Sequence, residues 1–227
     1  MRITWYGHAS FRLEAGGLAL VTDPFPPEEA GLEPVDEPAD AVVMSSAADP
    51  AHSFAEGIPG DPRVLNALEA VRGPVEVADG VVVRAVATSE GSDRPDDPRA
   101  NAVYWFDFDG LTCLHLGDVG TPLTAEQLAP IPAPVDVLFA LAGAGLVIAL
   151  PDLDDVIAAV EPRVILPMHH RTPSLRYDAG PVEDFLDRRP DDRVEHVAGS
   201  SVDLTRDTLP AERTIYVLQA SRDPLAA

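Results

Sequence analysis

The chain has 227 residues, 46% of them hydrophobic and 24% charged, which is the composition of a globular protein rather than of a disordered chain. Its 38 acidic residues outnumber 16 basic residues, all of them arginine, and the net charge is −22. The lack of lysine excludes Schiff-base chemistry and a phosphate-binding loop with its lysine, and the negative charge argues against a nucleic-acid partner.

The single cysteine, Cys113, excludes an internal disulfide and any zinc site built from several cysteines. The N-terminal segment lacks the apolar core of a signal peptide, and no run approaches the roughly 18 apolar residues that span a bilayer. We therefore expect a cytoplasmic protein with no membrane partner.

The first half of the chain is predicted to form mainly strands. Gly16-Gly17 and Asp109-Gly110 are typical of hairpin turns between apolar runs. Helical spacing of apolar residues predicts one helix, over residues 62–71. The strands are expected within residues 3–13 and at 18–22, 41–44, 75–77, 81–86, 102–108 and 111–116.

Strands and helices alternate in the second half. Helices are expected at residues 123–128, 152–160 and 181–188, and strands at 135–141, 164–166, 202–204 and 214–218. A loop rich in proline and aspartate is predicted at 91–99. The whole pattern predicts an α/β (α+β) fold, with two packed sheets flanked by helices in a single domain of residues 1–227.

Histidine and aspartate side chains follow several predicted strands. Asp23 ends the second strand, Asp118 follows the strand that contains His115, and His169-His170 follow a buried strand. Loops at strand ends are where a rigid scaffold presents chemistry, so these side chains are candidates to converge on one cation. His115, inside a strand, is more typical of a hydrogen-bonded core imidazole. No ligand pair has a spacing such as His-x-His, so spacing alone defines no metal site.

Several segments together resemble the metallo-β-lactamase superfamily, in the branch of metal-dependent hydrolases similar to ascorbate-phosphate lactonase. They occur in the family's order over residues 1–175 and read WYGHASFRLE, LVTDPF, ANAVYWFDFDGLTCLHLGDVGTPLTAEQL, VDVLFALAG and RVILPMHHRT. The resemblance implies an αββα four-layer sandwich with a dinuclear zinc or manganese site at one edge of the sheets. In that family, metal-bound hydroxide attacks an ester, a lactone or a phosphate ester.

The family's His-x-His-x-Asp-His signature is expected in the loop after the strand at 41–44. Aligned without gaps, its four ligands fall on Ser46, Ala48, Pro50 and Ala51, none of which can replace them. On this alignment the chain lacks all four ligands of the signature.

Other family positions are matched by residues of suitable type. Glu90 falls on the next family histidine, Asp118 on the bridging aspartate and His169 on the last histidine. His8 and Asp23 match residues that lie near the site but are not usually direct ligands. The resemblance thus leaves each ion about two ligands, fewer than the three that a catalytic zinc site commonly takes from protein.

Ligand counting therefore predicts a dismantled metal site with no cofactor. On this hypothesis the protein binds a small-molecule ligand or acts as a regulatory protein, and self-association into a homo-oligomer is expected by analogy with the branch alone.

Two enzymatic alternatives remain open. In the first, a hydrolase of a small ester, lactone or phosphoester uses one zinc or manganese ion held by metal ligands His52, Asp118 and His169, with Asp49 or Glu90 as a further ligand. His8 or Asp23 would then orient a ligand or shuttle a proton as a catalytic residue. In the second, Asp118 and His169 alone perform acid–base catalysis.

Overall fold

The computed structural model describes residues 1–91 and 100–226, which form two β-sheets around one core. The first sheet comes mostly from the N-terminal part of the chain. Its strands are β1 (Arg2–Gly7), β2 (Ser10–Ala15), β3 (Leu18–Thr22), β4 (Ala41–Met44), β5 (Arg63–Asn66) and β13 (Ser201–Asp203). Among the described residues their order is β13-β1-β2-β3-β4-β5, antiparallel as far as β3 and parallel from β3 to β5.

The second sheet has a meander at one side and parallel strands at the other. Its strands are β6 (Val75–Ala78), β7 (Val81–Ser89), β8 (Ala100–Phe108), β9 (Leu111–His115), β10 (Val137–Leu141), β11 (Val164–Met168), β12 (Arg193–His196) and β14 (Thr214–Val217). Their order within the described residues is β12-β14-β11-β10-β9-β8-β7-β6. The predicted turn between β8 and β9 is confirmed, since Asp109 and Gly110 both have positive φ, at 52° and 74°.

Side chains of successive residues in the first sheet point to opposite faces, and both faces are buried. Leu20 and Val43 belong to the core shared with the second sheet, whereas Val21 and Val42 pack with Phe25 on the other side. Burial on both faces explains why β3 and β4 are continuous apolar runs in the sequence.

The two sheets face each other and carry helices outside. Phe11 of β2 meets Phe139 of β10 with ring centroids 4.6 Å apart. The helices are α1 (Pro27–Ala30), α2 (Ala125–Leu128), α3 (Leu150–Val160) and α4 (Val182–Leu186). Helix α3 buries Leu153, Val156 and Ile157 in the same core, at helical spacing. The αββα four-layer sandwich is confirmed.

The predicted helix at 62–71 is wrong. Its first residues form β5, which pairs in parallel with β4, and the chain then makes a 3-10 helix at Ala67–Arg72. The Asn66 side chain accepts a hydrogen bond from the Leu68 amide and so starts that turn. Pairing with β4 satisfies the backbone of β5, and this tertiary contact outweighs a short local helical pattern.

Two smaller differences between prediction and structure concern one strand and one loop. Strand β12 was not predicted, because its alternation is weak on a half-exposed edge strand. The loop predicted at 91–99 lies outside the described residues from residue 92 onward. In the described part of the chain, no helix combines the length and apolar character needed to cross a bilayer, and the longest, α3, has 11 residues.

Candidate metal centre

Loops that follow β1, β4, β7, β9 and β11 surround one cavity of about 460 Å³. The histidine and acidic side chains on its wall are His8, Asp49, His52, Glu90, Asp118, His169 and Asp178. The fold thus gathers six of the seven predicted site residues around one cavity, and the seventh, Asp23, lies directly behind His52.

Asp23 holds the imidazole of His52 in place. Its Oδ2 lies 3.3 Å from His52 Nδ1, and its Oδ1 accepts a 2.6 Å hydrogen bond from the Ser45 amide. Asp23 and His52 are each at most 1% exposed. Because Nδ1 faces this carboxylate, the ring carries its proton there and turns Nε2 toward the cavity.

A short turn places Asp49 beside the same imidazole. Asp49 precedes a 3-10 helix at Pro50–His52, and its Oδ1 accepts a hydrogen bond from the Ala51 amide at 3.0 Å. Its other oxygen lies 3.6 Å from His52 Nε2, and an oxygen of Asp118 lies 3.7 Å from that nitrogen. Two carboxylates from distant loops therefore face one ring nitrogen.

The surroundings of His52 favour a positive charge. Burial opposes protonation, but Asp118, Asp23 and Asp49 together raise the pKa of His52 to about 10. His52 Nε2 is buried and has no hydrogen-bond partner among the described residues. A buried nitrogen between two carboxylates, without a hydrogen bond, is suited to a cation that all three groups bind.

Asp118 also contacts His169, at 3.3 Å between Oδ1 and Nε2. The Asp118 amide donates to the Asn101 side chain at 3.0 Å, which positions the aspartate after β9. Burial lowers the pKa of His169 although Asp118 opposes this shift, so His169 keeps a neutral imidazole. Asp118 thereby joins the two histidines through its two oxygens.

Close backbone packing sets the position of His169. Its φ is +55°, and its amide donates to the His8 carbonyl at 2.9 Å. A Cβ added at Gly143 would lie 1.7 Å from the His169 carbonyl oxygen, so only glycine allows the two loops to approach this closely.

His8 packs against both histidines. Its ring centroid lies 4.5 Å from that of His52, 4.2 Å from that of His169 and 4.8 Å from that of Tyr177. Burial, together with the neighbouring His169 and His52, lowers the pKa of His8 well below its ordinary value. His8 is therefore a neutral imidazole in contact with two candidate ligands.

The remaining histidines lie outside the cluster. His115 is a satisfied core imidazole, as expected, because Nε2 lies 3.0 Å from the Ala9 carbonyl and Nδ1 accepts from the Gly117 amide. His170 packs on Trp5, with centroids 4.7 Å apart, and is absent from the cavity wall. His196 is exposed on β12.

The model of a family described as "Beta-lactamase superfamily domain" matches residues 2–169 of the chain. The chain belongs to the metallo-β-lactamase superfamily. The predicted family and its branch of metal-dependent hydrolases are thus confirmed.

Members of this superfamily resemble the chain over most of its length. A UPF0173 metal-dependent hydrolase of Pyrobaculum neutrophilum is 28% identical over 217 residues, covering 83% of this chain and 91% of its own. A Thermotoga maritima structure, described as a candidate Zn-dependent hydrolase of the superfamily, is 30% identical with a TM-score of 0.73 and covers 96% of this chain and 97% of its own. Igni18 of Ignicoccus hospitalis is 19% identical, with a TM-score of 0.53, and covers 78% of this chain and 86% of its own. At this identity, the likeness shows a shared fold alone.

The geometry favours a different alignment of the superfamily signature. If His-x-His-x-Asp-His begins one residue later than the gapless alignment, its four ligand positions fall on Ala47, Asp49, Ala51 and His52. Asp49 and His52, which only the shifted alignment matches, line the cavity, whereas Ser46 and Pro50, which only the gapless alignment matches, are absent from its wall. The last histidine of the signature is then present, and the sequence signal for it was the match of His52 in this shifted alignment.

The residues present fit a divalent ion of the superfamily's kind. Ligand atoms of Asp49, His52 and Asp118 lie within 4.8 Å of one another, as do those of His8, His52 and His169. Imidazole and carboxylate are donors that zinc takes in catalytic sites, and His52, whose buried Nε2 has no hydrogen-bond partner among the described residues, belongs to both groups. Glu90, 6% exposed, lines the same cavity.

Proposed function

We propose that this protein is a hydrolase that uses one divalent metal ion, zinc or manganese, to cleave a small ester, lactone or phosphoester. One observation carries the proposal: His52 Nε2 is buried without a hydrogen-bond partner among the described residues, at 3.6 Å from Asp49 and 3.7 Å from Asp118. His169 faces the other oxygen of Asp118 at 3.3 Å. This arrangement supports His52, Asp118 and His169 as the ligands.

The ligand count supports an enzyme over a metal-free binding protein. The hypothesis of a dismantled site depended on two ligands per ion, because the gapless alignment left His52 out. With His52 included, one ion has three protein ligands, the number that a catalytic zinc site commonly supplies. Similarity to a metal-dependent hydrolase over 83% of this chain supports the same reading.

Each side chain then has a distinct task. When bound, the metal ion would lower the pKa of a water molecule toward about 7 and polarise the group to be cleaved. Asp23 orients His52 through Nδ1, which also makes the ring more basic. Asp49, with 18% of its side chain exposed at the cavity wall, is placed to accept the proton of the attacking water at Oδ2.

The charge of the cavity wall favours an uncharged substrate. Asp49, Glu90, Asp118 and Asp178 all contribute carboxyl groups. Leu146, 69% exposed beside them, offers an apolar contact for an acyl chain. Since carboxylates repel a phosphate, we expect esters and lactones to react faster than phosphodiesters.

Metal analysis together with an activity screen tests the proposal. Protein purified without chelator should contain about one equivalent of zinc, manganese or iron, and should hydrolyse members of a panel of aryl esters, lactones, thioesters and phosphodiesters. Asp118→Ala and His169→Ala should lose both the metal and the activity, whereas His196→Ala, changed at an exposed histidine, should keep both. Wild-type protein that binds none of these ions and cleaves no member of the panel would refute the proposal.

A further inference from the structure

We propose that His8 is a direct ligand of the metal ion, so that the imidazoles of His8, His52 and His169 share it. The inference rests on the proposed function and extends it to a residue whose family counterpart is not usually a ligand. It starts from the geometry of three buried rings.

The rings of His8, His52 and His169 form one group. The centroid of His8 lies 4.5 Å from that of His52 and 4.2 Å from that of His169, and ligand nitrogens of all three lie within 4.8 Å of one another. Two nitrogens bound to one zinc ion are separated by about 3–4 Å, because each bond is about 2.0–2.1 Å long. Small side-chain rotations therefore bring the three nitrogens to one ion.

One nitrogen of each ring lacks a hydrogen-bond partner among the described residues. His8 Nδ1, His52 Nε2 and His169 Nδ1 are each buried without a hydrogen bond among the described residues. His8 is 1% exposed, so its Nδ1 cannot recover a bond from bulk water. Orphaned polar atoms are rare in protein interiors, and the unpaired nitrogens of His8 and His52 in one cluster point to a cation that these rings share.

His8 and His169 both have an energetically unfavourable backbone conformation. His8 and His169 both have left-handed φ, +52° and +55°, and the His169 amide donates to the His8 carbonyl at 2.9 Å. For residues other than glycine such conformations cost on the order of 1 kcal/mol each and cluster at functional sites. The hydrogen bond ties the two strained residues together, and so holds the two rings side by side.

His8 offsets the ligand that the signature has lost. In the shifted alignment, Ala51 stands where the signature has its aspartate, and Ala51 lines the same cavity as His8. An alanine supplies no donor, so an ion bound by His52 and His169 has an open side. The ring of His8 contacts both histidines and carries a donor that Ala51 lacks.

Replacement of His8 by asparagine tests the inference. Asparagine tolerates left-handed φ better than other non-glycine residues, so His8→Asn removes the imidazole with little backbone strain. X-ray absorption of the Co²⁺-loaded protein counts imidazole ligands, and competition with a chromophoric chelator measures the zinc Kd. His196→Asn serves as the matched control at an exposed histidine, and thermal melting of the apo proteins checks folding.

We expect three imidazoles in the wild type and in His196→Asn, two in His8→Asn, and a zinc Kd raised at least 10-fold in His8→Asn. If His8→Asn keeps the wild-type cobalt spectrum and zinc Kd, His8 is not a ligand, while the proposed function stands. If the wild type takes up neither cobalt nor zinc, the inference about His8 fails; if it also takes up no manganese or iron and cleaves no member of the panel, the proposed function fails with it. If His8→Asn melts well below the wild type as an apo protein, His8→Gln replaces it in the same comparison, and an unchanged imidazole count in that variant refutes the inference.

Discussion

Asp23 Oδ2 lies 3.3 Å from His52 Nδ1, although these buried residues belong to different loops of the first sheet. The contact makes a carboxylate–imidazole pair whose free nitrogen points into the cavity.

The Asp23–His52 pair leads to the first prediction. Asp23→Asn should raise the zinc Kd about 10- to 100-fold, because the amide orients and polarises the ring less well. The free energy of unfolding should be affected less than the zinc affinity. The side-chain oxygen of the introduced asparagine can still accept the hydrogen bond of the Ser45 backbone amide. Chelator competition measures the Kd, and an unchanged value would show that Asp23 has no influence on His52.

Gly143 provides a test of backbone packing. Gly143→Ala should displace the loop of His169, because the new Cβ would lie 1.7 Å from the His169 carbonyl oxygen. We expect a loss of about 1–3 kcal/mol in the free energy of unfolding and a weaker metal affinity. Gly199→Ala, where no atom lies within 4 Å of an added Cβ, is the control. Equal urea midpoints for the two variants would contradict the packing argument.

The shifted alignment of the signature can be tested by restoring its ligands. The triple variant Ala47→His, Asp49→His, Ala51→Asp should bind about two metal ions per chain, since it completes the four positions with His52. The variant built on the gapless alignment, Ser46→His, Ala48→His, Pro50→Asp and Ala51→His, should not gain a second ion. Elemental analysis after dialysis reports the stoichiometry, and a gain only in the second variant would favour the gapless alignment.

The buried His170 should make the stability of the fold sensitive to acid. Burial lowers the pKa of His170 to about 4, so between its ordinary value of 6.5 and about 4 the unfolded chain binds a proton more readily than the folded one. Stability contributed by the neutral ring is therefore present above pH 6.5 and falls as the pH drops toward 4, by up to ~3 kcal/mol.

Urea unfolding at pH 7.0 and 4.5, with chelator present, measures this loss. His170→Gln should show a smaller difference in unfolding free energy between the two pH values than wild type, whereas His196→Gln should match wild type. Equal differences in all three proteins would mean that His170 is not a source of the acid sensitivity.

Local patterns were enough to predict most strands and part of the site. Continuous apolar runs such as those of β4 and β11 and turn residues such as Asp109-Gly110 act over a few residues, so they can be recognised without knowing the fold. Asp118 and His169 directly follow such strands, which made them candidates at once.

His52 was a candidate ligand from the sequence, but its surroundings could not be predicted. It stands in a loop whose alignment with the signature is ambiguous by one residue: the gapless alignment leaves His52 out, and the shifted alignment matches it to the last histidine. Its role depends on Asp23 behind it and Asp118 before it, both distant in the chain. Likewise β5 is a strand only because β4 lies beside it.

The amino-acid sequence by itself determined the family, most of the strands and the acidic, lysine-free character of the protein. The tertiary structure alone decided which side chains share one cavity. The reason is physical: hydrophobic periodicity and turn preferences are short-range, whereas the convergence of His8, His52, Asp118 and His169 depends on how two sheets pack and on where glycine lets loops approach.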